Sequence, residues 1–100
     1  MADLGLMLES QENLNWDTLF SITEKVEQLG FESLFLSDHL TSVKGNKQLD
    51  SIALWPALTA LAMRTERIKI GPLVCSMTFR HPVQLAKMSS AVDHLSLGRL

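Results

Sequence analysis

The chain has 100 residues, 46% of them hydrophobic, with Lys+Arg 9 against Asp+Glu 11, which bounds it to one small globular domain. No apolar run approaches the ~20 residues of a bilayer span. No basic stripe or basic amphipathic helix favours nucleic acid or a membrane surface. Nothing at the amino terminus reads as a secretory signal. Cys75 is the single cysteine, which excludes an intrachain disulfide and a cysteine-based zinc site and makes a cytoplasmic protein the default.

Leu4 to Leu8 is a short apolar run that reads as a buried strand. Glu9 to Asn15 is polar and lies at its exit. A helix over residues 16–28 follows, with Asn15 as cap, Asp17 at the positive end of the dipole, and Trp16, Leu19, Phe20, Val26 and Leu29 on one face. Gly30 supplies a left-handed stop, with Phe31 folding back on Val26 as in a Schellman motif. Residues 33–37 form the second strand, which runs directly into Asp38-His39-Leu40. Thr41 to Asp50 is a polar loop with Gly45-Asn46 as turn signal. A second helix covers residues 53–64, with Pro56 in its first turn and Leu54, Leu58, Leu61 and Ala62 on its buried side. Both tryptophans, Trp16 and Trp55, read as core.

Ile68-Lys69-Ile70 alternates apolar and charged residues as a short strand does. Gly71-Pro72 breaks the pattern, and Pro72 belongs at a bulge or an edge because it cannot donate to a ladder. Leu73-Val74 continues in extended character. His81-Pro82 opens a third helix reaching Leu95, with proline at the first helical position and Leu85, Met88, Val92 and Leu95 on one side. Gly98 is the stop, and Arg99-Leu100 begins another strand, so the chain reads as the amino-terminal piece of something longer. The βα units recur at about thirty residues, the size of a βαβ repeat, and predict a parallel sheet covered by helices through right-handed crossovers. Periodicity does not separate an open doubly wound sheet from a closed barrel, and three units cannot close one. In both folds ligands bind beyond the carboxyl ends of the strands, where Leu73 to Thr78 lie.

His39 follows a strand by two residues and projects into that mouth, where an imidazole can exchange protons near neutral pH; the plainer alternative is a surface or capping histidine. Asp38 can orient the imidazole, accept from a ligand hydroxyl, or simply make an Asx turn. Ser76 and Thr78 can hydrogen-bond a polar ligand or be ordinary loop residues. Glu9 faces the same mouth or solvent. Arg80 fits a phosphate or an ion pair at the helix start, His81 a cap, His94 a helix end favoured by the dipole, and Cys75 a small buried hydrophobe. No Gly-rich phosphate loop, nucleophile elbow or zinc-helix pattern occurs.

The segments Leu29-Gly-Phe-Glu-Ser-Leu-Phe-Leu-Ser-Asp-His39, Leu58-Thr-Ala-Leu-Ala-Met-Arg-Thr-Glu-Arg-Ile-Lys-Ile-Gly71, Thr78-Phe-Arg-His-Pro82, Leu85-Ala-Lys-Met88, Asp93-His-Leu-Ser96 and Gly98-Arg99 together resemble the amino-terminal part of the bacterial luciferase-like flavin-dependent oxidoreductases. The resemblance implies the first three βα units of a (β/α)8 TIM barrel over residues 1–100, stopping before the fourth strand is complete. It implies reduced FMN or coenzyme F420 as cofactor, and a small organic substrate that is oxygenated or oxidised. A separate flavin reductase, and a homodimer in the full-length form, are partners it admits. It assigns His39 to proton transfer beside the flavin ring and Asp38, Leu73, Val74 and Ser76 to the cofactor. The Leu73–Val74 bond matches a position where such proteins often hold a non-proline cis peptide. Glu9 and Thr78 are left to the substrate pocket, and no metal is implied. Two departures stand out: Leu97 replaces the first glycine of a Ser-Gly-Gly-Arg exit, and neither the Gly-rich fourth-strand exit nor the phosphate site lies within the sequence. A fragment of this extent is expected to hold flavin poorly. An F420-dependent hydride-transfer enzyme, a non-catalytic flavin-binding relative and an inactive truncated remnant are the alternatives.

Overall fold

The computed structural model describes residues 2–100. The chain alternates strand and helix: β1 (Gly5–Leu8), α1 (Trp16–Gln28), β2 (Ser33–Leu36), α2 (Leu54–Arg64), β3 (Lys69–Pro72) and α3 (Pro82–Leu95). The strands are parallel in the order β1-β2-β3. Their register sets Leu6 beside Leu34 beside Ile70, and Met7 beside Phe35 beside Gly71.

That register sorts side chains by the period of two of a strand. Leu34, Leu36 and Ile70 are buried against the helices, with Leu6 and Leu8 packed onto the same core. The central helix α2 buries Leu54, Trp55, Ala57, Leu58, Leu61 and Ala62, while α1 contributes Leu19 and Val26 and α3 contributes Val92. On the opposite face lie Gly5, Met7, Ser33, Phe35 and Lys69, exposed or half-buried, with the Phe35 ring seated between Gly5 and Gly71. Complete parallel sheets, whether doubly wound or closed into a barrel, are covered on both faces, so the open face alone does not separate the two.

The helix ends follow local chemistry. Asn15 Oδ1 accepts from Thr18 N–H at 2.9 Å, capping α1. At the other end Gly30, with φ 83°, completes a Schellman motif in which Phe31 N–H donates to Val26 O and Gly30 N–H to Glu27 O, both at 3.2 Å. His81 Nδ1 accepts from Val83 N–H and caps α3, with Pro82 at the first helical position. Pro56 lies in the first turn of α2.

Four expectations are corrected. Leu4–Leu8 is not a buried strand in this chain: Leu4, Gly5 and Met7 are exposed, and Leu6 and Leu8 are half-buried on the helix side. Trp16 is not core: it is 42% exposed and packs on Phe20 at 5.7 Å between ring centroids. Leu29 and Leu95 are also exposed, because the lines that α1 and α3 bury are narrower than a full apolar stripe. The left-handed stop of α3 is Leu97, with φ 58°; Leu97 N–H donates to His94 O and Gly98 N–H to Asp93 O, a second Schellman motif with leucine in the glycine position.

Two side chains brace the end of the sheet where β3 starts. Glu27 accepts from the N–H groups of Glu66, Arg67 and Ile68, which enter β3. Burial alone would raise the Glu27 pKa, but these three donors and the nearby Arg67 charge hold it below its ordinary value. Arg99 donates to Ser96 O, Thr65 Oγ1, Thr65 O, Ala62 O and Ile68 O, satisfying carbonyls at the end of α2, while its own carbonyl accepts from Ile70 N–H at 2.9 Å. Among the described residues, no helix is long and apolar enough to cross a membrane.

Candidate functional site

Parallel pairing puts the carboxyl ends of all strands at one edge, with Leu36 beside Pro72. Beyond Leu36 the chain continues as Ser37-Asp38-His39, and beyond Pro72 as residues 73–78, so the two exits rise side by side. Leu73 N–H donates to Leu36 O at 2.8 Å, extending the pairing by one residue. The next peptide, Leu73–Val74, is cis, and Pro72 at the end of β3 needs no ladder donor.

Asp38 ties the exits together. One carboxylate oxygen accepts from Ser76 N–H at 2.7 Å and from Arg80 Nη1 at 2.6 Å. The other accepts from Arg80 Nη2 at 3.1 Å. The ion pair is largely desolvated, its side chains being 6% (Asp38) and 16% (Arg80) exposed. Burial pushes the Asp38 pKa up, but the Arg80 and Ser76 hydrogen bonds and the Arg80 and His39 charges outweigh it and leave the carboxyl below its ordinary value. Arg80 also donates to Ser76 O at 3.2 Å, lies 3.4 Å from Cys75 Sγ, and stands 5.9 Å over the Phe79 ring.

Around this pair a cleft of about 400 Å³ opens, lined by Asp38, His39, Val74, Ser76, Thr78 and Phe79. It has an apolar wall (Val74, Phe79), two hydroxyls 3.0 Å apart (Ser76, Thr78) and an exposed imidazole (His39). A second cleft of about 360 Å³ lies on the side of α2 and α3; it shares Asp38 and His39 with the first and adds Arg80 to its lining. Beneath the exits, Ser10 N–H donates to Ser37 Oγ at 3.0 Å and Ser37 Oγ donates to Gln11 Oε1, so the exits of β1 and β2 are joined by a buried polar knot.

Of the residues named from sequence, His39, Asp38, Val74, Ser76 and Thr78 come together in one cleft. Leu73, the residue before Val74, is not among the lining residues and is 46% exposed. Glu9 stays outside: it is exposed, and its carbonyl accepts from Glu12 N–H. Arg80 takes the ion-pair alternative, with Asp38 as its partner. Phe79 was not singled out, although its place between Thr78 and Arg80 put it in the same mouth. Glu12 was also missed. It accepts from Ser42 Oγ and Val43 N–H, anchoring the loop after His39, and no local pattern joins positions so far apart.

Residues 2–100 match the family described as luciferase-like monooxygenase. Among relatives, limonene 1,2-monooxygenase of Rhodococcus erythropolis is 33% identical over 99% of this chain and 26% of its own length. F420-dependent glucose-6-phosphate dehydrogenase of Microbacterium testaceum is 37% identical over 91% of this chain and 27% of its own. The solved structure of coenzyme F420-dependent tetrahydromethanopterin reductase from Methanopyrus kandleri aligns with a TM-score of 0.79 at 26% identity, covering 97% of this chain and 25% of that one. The chain therefore spans about a quarter of the length of the relatives it matches. Its one-sided parallel sheet is a three-unit arc of their TIM barrel. Strand order, the paired exits and the match over residues 2–100 lead to one assignment: the chain belongs to the luciferase-like monooxygenase family.

Proposed function

We propose that this chain supplies one wall of the active site of a flavin-dependent oxidoreductase, and that the cleft between the β2 and β3 exits receives the cofactor ring. The observation that carries the reading is the meeting of His39, Val74, Ser76 and Thr78 in one cleft. The donor set fits a flavin or deazaflavin ring. Val74, 69% exposed, and Phe79, 44% exposed, offer apolar surface to a flat face, and Ser76 and Thr78 offer hydroxyls to its polar edge. When bound, reduced FMN supplies electrons for oxygen chemistry on a small organic substrate, or coenzyme F420 supplies hydride.

The chain's own residues then have defined tasks. The His39 imidazole stands at the cleft wall and gives or takes a proton as charge develops on substrate or ring. Val74 and Phe79 exclude water from that contact. Asp38, bound to Ser76 and Arg80, orients the loop. The reading carries with it a cytoplasmic location, a small-molecule substrate and, for the FMN version, a reductase that delivers reduced cofactor. The similarity to the F420-dependent dehydrogenase of Microbacterium testaceum supports the hydride-transfer version equally.

The test uses a full-length barrel that contains this chain, titrates it with FMN and with F420 while ring absorbance is followed, and then replaces His39 by Asn. One ring is expected to bind, and His39→Asn to lower turnover about 10²–10⁴-fold, the range of a lost general acid or base, with cofactor affinity nearly unchanged. Binding of neither ring would end the reading; undiminished turnover would remove His39 from the chemistry.

A further inference from the structure

We infer that Arg80 is a positioning residue, whose planar fork joins the two strand exits and fixes residues 74–78 at the distance from His39 at which a ring can lie between them. The inference rests on the reading that the ring occupies this cleft. Arg80 precedes α3 and lies outside that cleft, among the residues of the second one, yet it reaches back along the exit. Its two terminal nitrogens engage both oxygens of Asp38, and one also engages Ser76 O. Asp38 in turn holds Ser76 N–H. Both polar groups of the Ser76 backbone are thereby pinned by the same ion pair, two residues after the cis peptide and one residue after Cys75.

The geometry has little redundancy. Residues 73–79 carry no helix or strand beyond Pro72, Val74, Met77 and Phe79 are exposed, and of this segment's apolar side chains Cys75 alone packs against the core, so packing holds the segment at one point only. The fork supplies the rest of the hold, and it does so through Asp38, in the same β2 exit that carries His39. Because the anchor of the Ser76 peptide and the imidazole sit on adjacent residues, Asp38 and His39, any shift of β2 moves both sides of the cleft together. A lysine at position 80 supplies one point charge and no planar fork, so it cannot serve both Asp38 oxygens and Ser76 O with the same geometry. A phosphate is a poor alternative partner, since Asp38 already neutralises the guanidinium in a desolvated pair.

The experiment compares a full-length barrel that contains this chain with its Arg80→Ala and Arg80→Lys variants by two readouts. The first needs no cofactor: amide hydrogen exchange at Ser76, with Leu34 and Leu36 in the β2 ladder as internal controls of folding. Exchange at Ser76 is expected to quicken at least tenfold in Arg80→Ala with the ladder amides unchanged, and by less in Arg80→Lys. The second uses FMN and F420 as probes, reading the dissociation constant and the visible circular dichroism of the bound ring. Arg80→Ala is expected to weaken binding at least tenfold and to alter the dichroism, and added guanidinium ion to restore part of both in Arg80→Ala but not in wild type. Unchanged Ser76 exchange in Arg80→Ala overturns the inference, as does unchanged affinity with an unchanged ring spectrum. Wild-type behaviour of Arg80→Lys overturns the role of the fork. If Arg80→Ala loses the ladder amides too, Arg80→Lys alone decides, by the same two readouts. If the wild-type protein binds neither ring, the functional reading falls, whereas the exchange data still decide whether Arg80 holds the exit.

Discussion

Leu97 occupies the left-handed position that ends α3, at φ 58° and 90% exposed. A side chain with a Cβ is disfavoured there by about 1–2 kcal/mol, while glycine costs roughly 0.5–1 kcal/mol more in chain entropy. Strain outweighs entropy, and no contact is lost at so exposed a site. Leu97→Gly is therefore expected to raise stability by about 0.5–1 kcal/mol, read as a higher urea midpoint at unchanged slope. The sequence made this residue visible as a departure from the Ser-Gly-Gly-Arg pattern, because a single backbone angle is a local matter. The partnership of Asp38 with Arg80 was not visible in the same way. Each was read as a strand-end or helix-start residue, and only the parallel register brings positions 42 apart into contact. The place of His39 at the cleft follows from its position at a strand exit; Glu9 takes the solvent-facing alternative, beside the turn in which its carbonyl accepts from Glu12 N–H.

At the scale of elements, caps made the boundaries readable and burial made the faces less so. Asn15, Gly30, His81 and Pro82 mark the ends of α1 and α3 through hydrogen bonds within a few residues. The buried line of α1 is Leu19, Thr23 and Val26, and a hydrophobic pattern passes over Thr23. Its hydroxyl donates to Leu19 O at 2.7 Å, which satisfies it and lets it sit in the core. Trp16 and Leu29, at the two ends of the helix, stay exposed. The loop into β3 depends on Glu27. Glu27→Ala leaves three backbone donors without their acceptor and is expected to cost about 2 kcal/mol, since those groups are part-exposed and water recovers some of the loss. Glu27→Gln keeps one acceptor oxygen and should lose less. Chemical denaturation of both variants checks the order.

For the whole molecule, the distinction between barrel arc and doubly wound sheet lay beyond periodicity, since both use the same βα alternation. It is settled by the likeness to a solved barrel, on which the three strands and their helices align with a TM-score of 0.79. The charge balance also acts globally. Glu27 and Asp38 are both held below their ordinary pKa values. The unfolded chain therefore takes up protons at a pH where the folded one does not, and stability falls as acid is added. Their contribution is present above the ordinary carboxylate range near pH 4 and is lost as pH drops below it toward the depressed folded values. Urea midpoints are expected to fall as pH drops below about 4, and to fall less steeply when Asp38→Asn and Glu27→Gln are combined.

The Phe35 ring on the open face has neighbours of unequal tolerance. A methyl group added at Gly71 would meet the ring at 3.7 Å, an ordinary touch, whereas one added at Gly5 would come within 2.6 Å of Ser33 Oγ and make that hydroxyl swing aside. Bulk can enter this floor from the β3 side and is resisted from the β1 side, so position 71 is where drift or redesign could reshape the inner lining without disturbing the wall behind it.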